Sequence, residues 1–502
     1  MPTASSTERV QTNGHPNLPK PAGKPEVIED RLFINGEFVP SKSGKKFNVI
    51  NPTTEKLSAS VYEADAEDVD IAVQAAKAAF PAWSELNALQ RAHFLERWAS
   101  ALEKALPEIS YLDAISMGKP AYPDQLAMMI PMIVRYLASK ALDVLGESSL
   151  NTANFVNLSL RQPYGVCGAI TPWNAPSMFL AYKVSAALIT GNTIVLKSSE
   201  KAPLSPLVAA RCAKEAGIPP GVVNIISGFG KPCGEAIARH MDIRKISFTG
   251  SAATGRAIQK ASAESNLKSV SLELGGKSPL IIFEDADLSK AIPAAAMSIV
   301  MNTGQVCNAS SRVYVYASIA EEFLEGLKAT MALMGKSGDP LAEGTFRGPQ
   351  ADKLQFDRVM AYLDLAKQSG VNIALGGERE GSTGYFIAPT ILSNVPEDSR
   401  LTKEEIFGPV LIVNTFEEEG DVLEKANASE YGLYASVFTK DISRALRVAK
   451  RLEAGSVAVN STSPTMALDM PFGGWKGSGE GREFSSFALD DWTELKSVYL
   501  AI

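Results

Sequence analysis

The chain is poor in histidine and cysteine, with three and four of them among its 502 residues. The cysteines are scattered without a close pair, which argues against a disulfide framework and against a zinc site. Hydrolases that pair a serine or a cysteine with a histidine need a positioned imidazole. Only His240 lies between the motifs discussed below, so this class of hydrolase is disfavoured. A reactive thiol in this chain needs activation by another group.

Long hydrophobic runs are also absent, since no window holds the roughly 18 consecutive apolar residues of a membrane helix. The first 30 residues lack the apolar core of a secretory signal, and we predict that residues 1–30 form a flexible tail. A mitochondrial presequence stays open, although Arg9 is the only arginine before Arg31. Residues 499–502 match neither a peroxisomal nor a prenylation signal, and the expected location is cytoplasmic.

The charge balance is mildly acidic, with a formal net charge of -7. No cluster of lysine and arginine marks a face for a phosphate backbone, so we expect neither nucleic acid nor a membrane as a partner. The hydrophobic share of 45% and the charged share of 21% are typical of a globular enzyme. The length indicates two or three domains around more than one core.

Short apolar runs alternate with helical patterns from residue 166 onward, which predicts an α/β fold. We predict strands at 166–170, 192–196, 222–226, 245–248 and 269–274, with helices at 177–189, 206–216, 234–240 and 252–262. Apolar strands that alternate with helices indicate a Rossmann-like parallel sheet, covered on both faces. Ligands of such sheets bind beyond the carboxyl ends of the strands. The motifs of this half of the chain lie at those ends.

A second alternating pattern follows Gly276, with strands at 279–283 and 312–315 and helices at 288–301 and 320–334. It predicts a second α/β domain, with Cys307 near its start. Residues 31–39 alternate like a single strand. Residues 495–500 also read as a strand, with no partner nearby in sequence, and such an exposed edge often pairs with another subunit.

Three residues in separate runs offer the chemistry of a thioester. A cysteine such as Cys307 is a strong nucleophile as thiolate. A carboxylate such as Glu273 can prepare the water that later releases the captured group. Asn174 offers a side-chain amide for the oxyanion that this chemistry creates. Taken singly, each has a plainer interpretation: a small buried thiol, a carboxylate at a strand end, and a turn residue after Pro-Trp.

Two glycine-bearing turns and one glutamate suggest a dinucleotide site. The run from Gly250 to Gly255 follows a strand and opens a helix, as a pyrophosphate site requires. Neither that run nor Gly228-Phe229-Gly230 is G-x-G-x-x-G, and either alone favours a plain turn. Glu200 can bind ribose hydroxyls and repel a 2'-phosphate. The repulsion reaches at most ~4 kcal/mol at ~4 Å and an effective dielectric of ~20.

The combination resembles the NAD(P)-dependent aldehyde dehydrogenase superfamily, over nearly the whole chain from about Phe33. The runs that carry the resemblance are Thr171-Pro172-Trp173-Asn174, Phe248-Thr249-Gly250-Ser251, Glu273-Leu274-Gly275-Gly276-Lys277, Gly304-Gln305-Val306-Cys307, Glu405-Ile406-Phe407-Gly408-Pro409-Val410, Pro471-Phe472-Gly473-Gly474 and Ser478-Gly479. Together and in this order they are highly specific.

The resemblance implies a mechanism. Cys307 attacks the aldehyde carbon, and the oxyanion is held by the Asn174 side chain and the Cys307 backbone N–H. Hydride passes to the nicotinamide, and Glu273 activates the water that hydrolyses the thioester. The implied cofactor is NAD, with NADP possible, and the implied product is a carboxylic acid.

The resemblance also implies binding residues and domains. Lys197 and Glu200 match ligands of the adenosine ribose, Glu405 matches a ligand of the nicotinamide ribose, and Phe407 packs near the nicotinamide ring. The expected cofactor contacts are Ile170, Thr171, Trp173, Lys197, Glu200, Gly230, Phe248, Gly250, Ser251, Gly255, Leu274, Glu405 and Phe407. The expected domains are an NAD-binding domain (31–144 and 164–274), a catalytic domain (275–484) and a β arm (145–163 and 485–502) that forms homodimers or homotetramers.

Four positions depart from the family pattern, and the first three of them are expected to alter the substrate tunnel. Ala175 stands where a phenylalanine is frequent, Val300 and Met301 replace an aromatic pair, and Ser198 replaces a common proline. Loss of the ring at position 175 widens the tunnel, which suggests a bulky, apolar or aromatic aldehyde. The expected tunnel residues are Ala175, Phe179, Tyr182, Met129, Met301 and Met466. No metal site is expected.

Two alternatives stay open. A CoA-acylating semialdehyde dehydrogenase passes the acyl group from sulfur to CoA, but that subgroup generally lacks the hydrolytic glutamate that Glu273 supplies. A non-catalytic protein can retain the fold, but Cys307, Glu273 and Asn174 are all present.

Overall fold

The computed structural model describes residues 23–122, 124–464 and 467–502. Most of the predicted tail, residues 1–22, and the predicted tunnel residue Met466 lie outside the described residues. Across the part of the chain that is described, no helix combines the length and the apolarity needed to cross a membrane.

Fourteen α-helices are described. They are α1 (Ala66–Glu85), α2 (Ala88–Met117), α3 (Gln125–Ser139), α4 (Pro176–Ile189), α5 (Leu204–Glu215), α6 (Glu235–Arg239), α7 (Ala252–Ala263), α8 (Leu288–Val300), α9 (Ala320–Met334), α10 (Lys353–Gln368), α11 (Arg400–Lys403), α12 (Glu419–Asn427), α13 (Ile442–Arg451) and α14 (Phe487–Asp491). A π-helical turn precedes α6 at Gly230–Gly234, and 3-10 turns lie at Met301–Gly304 and Ala317–Ile319.

The described strands number 22. They are β1 (Leu32–Ile34), β2 (Glu37–Val39), β3 (Lys46–Ile50), β4 (Leu57–Tyr62), β5 (Ser148–Ser149), β6 (Phe155–Pro163), β7 (Val166–Ile170), β8 (Thr193–Ser198), β9 (Val223–Ser227), β10 (Lys245–Thr249), β11 (Ser269–Glu273), β12 (Pro279–Ile282), β13 (Arg312–Tyr316), β14 (Asn372–Leu375), β15 (Thr390–Ser393), β16 (Val410–Phe416), β17 (Tyr431–Gly432), β18 (Tyr434–Phe438), β19 (Ser456–Val459), β20 (Trp475–Lys476), β21 (Gly479–Glu480) and β22 (Thr493–Ala501).

The first large sheet has the strand order β2-β1-β9-β8-β7-β10-β11-β21. Its five central strands, β9 to β11 in that order, are mutually parallel, as the alternating pattern predicts. Side chains alternate between two cores because successive residues of a strand point to opposite faces. On β7, Cys167 and Ala169 pack with α2, α4 and α5, while Val166 and Ile170 pack with α1, α6 and α7. The sheet is therefore covered on both faces.

The second large sheet has the order β14-β15-β16-β13-β12-β18-β19 and is parallel except at β14. It too separates two cores. Leu280 and Ile282 of β12 pack with α8 and α9, while Ile281 packs with α12 and α13. The predicted second α/β domain corresponds to this sheet, and the α/β fold class is confirmed.

A third sheet of three strands joins distant segments of the chain. β22 pairs antiparallel with β6 over its full length, from Thr493 opposite Pro163 to Ala501 opposite Phe155, and β5 pairs with the other edge of β6. The C-terminal strand thus has a partner within the chain. Its second edge has none among the described residues.

Two sequence interpretations differ from the structure. Residues 31–39 form the hairpin β1–β2 instead of one strand, because Asn35 and Gly36 adopt φ of 53° and 79° and so reverse the chain. Within the segment assigned to the catalytic domain, β21 pairs with β11 at the edge of the first sheet. A two-residue strand carries too little sequence signal to be recognised.

Candidate active site

The first group of site residues lies where the parallel strands of the first sheet end. Ile170 of β7 is paired with Phe248 of β10, and Thr249 of β10 is paired with Glu273 of β11. The carboxyl ends of these strands therefore lie side by side. The turn with Asn174 follows β7 directly, and Pro176 at the first position of α4 favours the start of the helix. Asn174 and Glu273 come from one edge of one sheet.

Cys307 reaches the same place from the second half of the chain. It follows the short 3-10 turn after α8, in which Asn302, Thr303 and Gly304 have φ of 48°, 58° and 72°. Two cavities meet at the Cys307 side chain. Both are lined by Cys307, Asn174 and Phe179, and Glu273 lies in the wall of one of them.

The first cavity encloses about 140 Å³ and is mainly apolar. Five of the predicted tunnel residues line it: Ala175, Phe179, Tyr182, Met129 and Met301. Five further apolar residues line the cavity and were not predicted from the sequence: Leu126, Ile133, Met178, Phe472 and Phe484. The i, i+3, i+4 and i+7 spacing of 126, 129, 130 and 133 on α3 is a signal that could have found two of them.

One substitution highlighted from the sequence lies outside this cavity. Val300, the last residue of α8, is fully buried in the core between α8, α9 and the second sheet. Its change therefore does not alter the tunnel wall, contrary to the expectation. Met301, the next residue, does line the cavity. The helix ends between the two, so consecutive side chains point in different directions.

The second cavity encloses about 120 Å³ between the two large sheets. Six predicted cofactor residues line it: Trp173, Gly250, Ser251, Leu274, Glu405 and Phe407. The other seven do not: Ile170, Thr171, Lys197, Glu200, Gly230, Phe248 and Gly255. These seven lie in or directly after β7, β8, β9 and β10, or in the first turn of α7.

Two aromatic rings and one ion pair close the cleft between the halves. The Trp173 and Phe407 rings meet edge to face at 5.5 Å, and Lys201 Nζ lies 2.8 Å from Asp352 Oδ2 at the start of α10. Lys201 follows β8 of the first sheet, whereas Asp352 and Phe407 belong to the second half. The cleft is therefore bounded by side chains from both.

The side-chain amide of Asn174 is directed toward the loop that carries Cys307. Its side chain is 7% exposed, and Nδ2 donates a hydrogen bond to the main-chain oxygen of Gln305 at 3.0 Å. An amide nitrogen has two N–H bonds. Among the described contacts the second has no acceptor, so it can donate to a substrate oxygen.

Glu273 is a buried carboxyl with unused hydrogen-bonding capacity. It is 6% exposed, and within the described residues neither oxygen accepts a hydrogen bond. Burial raises the pKa of Glu273 well above its ordinary value, and the nearby Glu483 carboxylate raises it further. A raised pKa makes the ionised carboxylate a stronger base. The arrangement is suited to accept a proton from water.

The Lys183–Glu483 ion pair beside Glu273 was missed by sequence analysis. Lys183 Nζ lies 2.8 Å from Glu483 Oε1 and donates to Ser247 Oγ at 2.8 Å. Lys183 is fully buried and Glu483 is 6% exposed. The positive charge of Lys183 lowers the pKa of Glu273, whereas the negative charge of Glu483 raises it. No signal marks this pair, since the two residues lie about 300 positions apart.

Cys307 is a protonated thiol in this environment. Burial raises its pKa to about 12, and the carboxylates of Glu405 and Glu273 add to the effect. Backbone N–H groups of Asn308 and Cys307 act in the opposite direction. Neither His93 nor His240 lines either cavity. The thiol therefore needs a compensating positive charge or a proton acceptor before it can attack.

Lys197 and Glu200 lie at the end of β8. Burial lowers the pKa of Lys197, whose Nζ donates to the Ser198 main-chain oxygen at 2.9 Å and lies 3.8 Å from Glu200 Oε2. The Glu200 side chain is about one third exposed, at 32%. One buried ammonium and one accessible carboxylate at a strand end can bind sugar hydroxyls.

Glu405 lies against the turn after β11. Its Oε1 accepts a hydrogen bond from the backbone N–H of Gly276 at 3.0 Å, and burial raises its pKa to about 7. A side chain at Gly275 would collide with the Glu405 carboxylate and displace it, so glycine leaves this carboxylate its place beside the turn. Gln355 and Arg358 of α10 also line the cleft and were not expected. They belong to a helix that carries no recognised motif.

Gly230 and Gly255, two of the predicted cofactor residues, differ in how tightly they are packed. A Cβ at Gly255 would lie 2.8 Å from Leu274 Cδ2, so glycine allows α7 to pack closely on β11. A Cβ at Gly230 would meet nothing within 4 Å. Gly230 therefore has no packing constraint, whereas Gly255 brings a helix start close to the cleft.

Comparisons of sequence and of structure relate the chain to known proteins. The sequence model described as "Aldehyde dehydrogenase family" matches residues 38–498. The chain is 45% identical over 472 residues to the aldehyde dehydrogenase of Aspergillus niger, covering 93% of this chain and 94% of the relative. It is 44% identical to the mitochondrial aldehyde dehydrogenase family 2 member B4 of Arabidopsis thaliana, covering 95% and 89%.

Solved structures show the same similarity. The NAD+ complex of an aldehyde dehydrogenase from Bacillus cereus superposes with a TM-score of 0.92 at 44% identity, covering 94% of this chain and 97% of that one. A mutant indole-3-acetaldehyde dehydrogenase of P. syringae, in complex with NAD+ and IAA, gives a TM-score of 0.93 at 38% identity, covering 95% and 97%.

Proposed function

Because the chain belongs to the aldehyde dehydrogenase family, we propose that it oxidises a bulky apolar or aromatic aldehyde to the acid through a thioester on Cys307. The observation that carries the proposal is the meeting of two cavities at Cys307. One is apolar and suits an aldehyde side chain, and the other is bounded by strand ends and suits a dinucleotide.

Cys307 and Asn174 act first in this proposal. The Cys307 thiol passes its proton to solvent water, and the sulfur attacks the carbonyl carbon. A C–S bond forms as the C=O π bond breaks, which leaves an oxyanion. The free N–H of the Asn174 side chain and the Cys307 backbone N–H donate to that oxyanion. Removing one such donor typically lowers the rate 100- to 1000-fold, so Asn174 contributes at this step.

Glu273 acts on the thioester. Its carboxylate takes a proton from a water as the water oxygen attacks the acyl carbon. The C–S bond then breaks, the acid leaves and the thiol recovers its proton. Burial favours this role because a base with a raised pKa accepts a proton more strongly.

The residues of the cleft fit a nicotinamide dinucleotide. The Thr249 hydroxyl is buried in the cleft wall without a described hydrogen-bond partner, and Gly275 leaves room for the Glu405 carboxylate. Lys197 and Glu200 would hold the adenosine ribose, Glu405 and Gln355 the nicotinamide ribose, and Phe407 the ring. When bound, the nicotinamide accepts the hydride from the former aldehyde carbon. NAD is favoured over NADP because Glu200 would repel a 2'-phosphate.

The substrate class follows from the apolar cavity. Ala175 lies at the start of α4 where it leaves space for a ring, and Phe179, Phe472 and Phe484 supply aromatic faces around that space. One of the similar structures carries indole-3-acetaldehyde dehydrogenase as its name. Both observations support aromatic aldehydes over acetaldehyde.

Assembly and location belong to the same proposal. The three-stranded sheet of β5, β6 and β22 presents apolar side chains to solvent, including Leu495, Tyr499 and Leu500. We infer that this arm joins copies of the chain into dimers or tetramers. The cytoplasmic location stays a prediction, because two of the similar proteins have mitochondrial in their names.

An aldehyde panel tests the proposed function. Purified protein is mixed with NAD or NADP and with acetaldehyde, benzaldehyde or indole-3-acetaldehyde, and NADH absorbance is followed. We expect the highest kcat/KM with NAD and an aromatic aldehyde, a free acid product, and no activity in Cys307→Ala. Ala175→Phe should lower kcat/KM for aromatic aldehydes more than for acetaldehyde. Strict dependence on CoA, or no NADH from any aldehyde, would overturn the proposal.

A further inference from the structure

Hydrogen bonds between buried amides join the Cys307 loop to the turn of Asn174. Asn302 Nδ2 donates to the main-chain oxygen of Asn174 at 3.0 Å and to that of Gln305 at 3.2 Å. Asn174 Nδ2 donates to the same Gln305 oxygen at 3.0 Å. We refer to Asn174, Asn302 and Gln305 as the amide clamp. Each member is at most 7% exposed.

The clamp fixes Asn174 at both its main chain and its side chain. The Asn174 main-chain oxygen accepts a hydrogen bond from Asn302. The Asn174 side-chain nitrogen donates to the Gln305 main-chain oxygen, which also accepts from Asn302. Rotation of the Asn174 amide would break a buried hydrogen bond, which is unfavourable because no solvent replaces it. The free N–H of Asn174 is therefore held in one direction.

The Asn302 backbone has an uncommon conformation that serves this geometry. Asn302 and Thr303 adopt left-handed φ of 48° and 58° in consecutive positions. Asparagine tolerates this region, whereas a β-branched threonine rarely occupies it. Such conformations persist where surrounding contacts over-determine them. The clamp supplies some of those contacts.

The opposite side of the loop is anchored independently. Thr303 Oγ1 donates to the Gly348 oxygen at 2.9 Å, and Gln350 Nε2 donates to the Thr303 oxygen at 3.2 Å. The backbone N–H of Ala351 donates to Gln305 Oε1 at 2.9 Å. Residues 348–351 thus hold the loop even when the Asn302 side chain is removed.

We propose that Asn302 is a positioning residue for the oxyanion donor. It acts through Asn174, by holding that side chain in register with the carbon that the Cys307 sulfur attacks. This role rests on the proposed function, because it needs an oxyanion at Cys307. A merely structural role would instead stabilise the loop without an effect specific to the transition state.

Asn302→Gly is the first test. Glycine accepts the left-handed backbone, so the change removes the amide with little strain. We expect kcat for aldehyde oxidation to fall about 10- to 100-fold while KM changes less than 3-fold. That loss is smaller than the 100- to 1000-fold expected of Asn174→Ala, because the donor is misaligned and not deleted. An unchanged kcat would overturn the proposal.

A double-mutant cycle separates positioning from structure. If Asn302 acts only through Asn174, then Asn174→Ala with Asn302→Gly should be as active as Asn174→Ala alone. Independent structural effects would multiply, giving a further 10-fold or greater loss in the double variant. Multiplicative losses would therefore overturn the proposal. Asn460→Gly is the matched control, since Asn460 has φ of 52° and accepts a hydrogen bond from Thr439 N, away from the site.

A cofactor-free assay gives a second readout. Acyl transfer from p-nitrophenyl acetate to Cys307 needs the thiol and an oxyanion donor but no hydride acceptor. Asn302→Gly should slow nitrophenolate release by the same factor as kcat, and Asn460→Gly should not. If the glycine variant does not fold, Asn302→Asp is the second variant. It tolerates the backbone but its carboxylate cannot donate to the Asn174 and Gln305 oxygens, so its losses should be at least as large.

The outcomes for this role and for the proposed function are distinct. An active wild-type protein with unaffected Asn302 variants would overturn the positioning role alone. A wild-type protein that oxidises no aldehyde would overturn the proposed function and this role with it.

Discussion

At the scale of single residues, the proposed mechanism divides the chemistry among Cys307, Glu273 and Asn174. Cys307 is protonated because burial and two carboxylates raise its pKa to about 12. Burial also raises the pKa of Glu273. For Cys307 the raised pKa hinders formation of the thiolate, whereas for Glu273 it makes the carboxylate a stronger base. Asn174 needs no titration, because its neutral amide donates at any pH. Two predictions at this scale concern Glu273.

Glu273→Gln should separate acylation from hydrolysis. The amide cannot accept a proton from water, while Cys307 and Asn174 are unchanged. We expect a burst of NADH close to one equivalent per site, followed by turnover at least 100-fold slower. Rapid mixing with absorbance detection measures both phases. A variant with the steady-state rate of the wild type would remove Glu273 from the mechanism.

Glu483→Gln should shift the pH dependence of thioester hydrolysis. The neighbouring Glu483 carboxylate raises the pKa of Glu273, and Lys183 lowers it. Removing the negative charge while Lys183 stays should lower the pKa of Glu273. Hydrolysis requires ionised Glu273, so its rate should reach half its maximum at a lower pH than in the wild type. Single-turnover release of the acid over a pH series measures this, and an unchanged or upward shift would contradict it. Arg447→Gln, at the ion pair with Glu419 between α13 and α12, is the control, because neither residue lines either cavity of the site.

At the scale of elements, the strand ends of the first sheet supply the groups of the cleft. Parallel strands bring their carboxyl ends together, so Asn174 after β7, Ser251 after β10 and Glu273 at the end of β11 become neighbours. The C-terminal strand β22 lies at the edge of the three-stranded sheet and contributes nothing to the cleft. Its full-length pairing with β6 leaves one edge without a partner in the described part of the chain, and its apolar side chains are exposed.

Charged residues on β22 should weaken assembly. Leu495 and Tyr499 are 67% and 69% exposed and lie four residues apart, so they share a face of the strand. Leu495→Lys with Tyr499→Lys should shift the protein to a smaller assembly, because a buried lysine pair in an interface is unfavourable. Sedimentation velocity measures the mass. Leu333→Lys, at an 83% exposed position on α9, should leave it unchanged. An unaltered mass in the double variant would exclude β22 from the interface.

At the scale of the whole molecule, the cofactor cleft lies between two sheets with separate cores. Trp173 from one half meets Phe407 from the other, and Lys201 pairs with Asp352 across the same cleft. A ligand that contacts both halves is bound only in the folded state. Its binding should therefore stabilise the whole chain.

NAD should raise the melting temperature more than NADP does. A ligand at 100 times its Kd stabilises the folded state by about 2.7 kcal/mol. Under the proposed role of Glu200 in repelling a 2'-phosphate, NADP at the same concentration should give a smaller increase. Glu200→Gln should reduce the difference between the two, and differential scanning fluorimetry measures it. Glu215→Gln, exposed at the end of α5, is the control. Equal shifts in the wild type would remove Glu200 as the selectivity determinant.

The amino-acid sequence by itself determined the local structure and the reactive groups. Apolar runs broken by helices predict the parallel sheets, since strand and helix periods are properties of short segments. Cys307, Glu273 and Asn174 lie in short runs that carry their own signal. The Asn35-Gly36 pair is also a turn signal, although the alternation of residues 31–39 predicts one strand.

Only the tertiary structure decided which distant residues meet. Lys183 and Glu483 lie about 300 positions apart, and β22 pairs with β6 across a similar span. Gln355 and Arg358 enter the cleft from α10, and Asn302 contacts Asn174 across 128 positions. Such contacts depend on how sheets and helices pack, and the sequence pattern of a short segment does not predict this packing. The sequence therefore names the chemistry, whereas packing sets the pKa values and the directions of the donors.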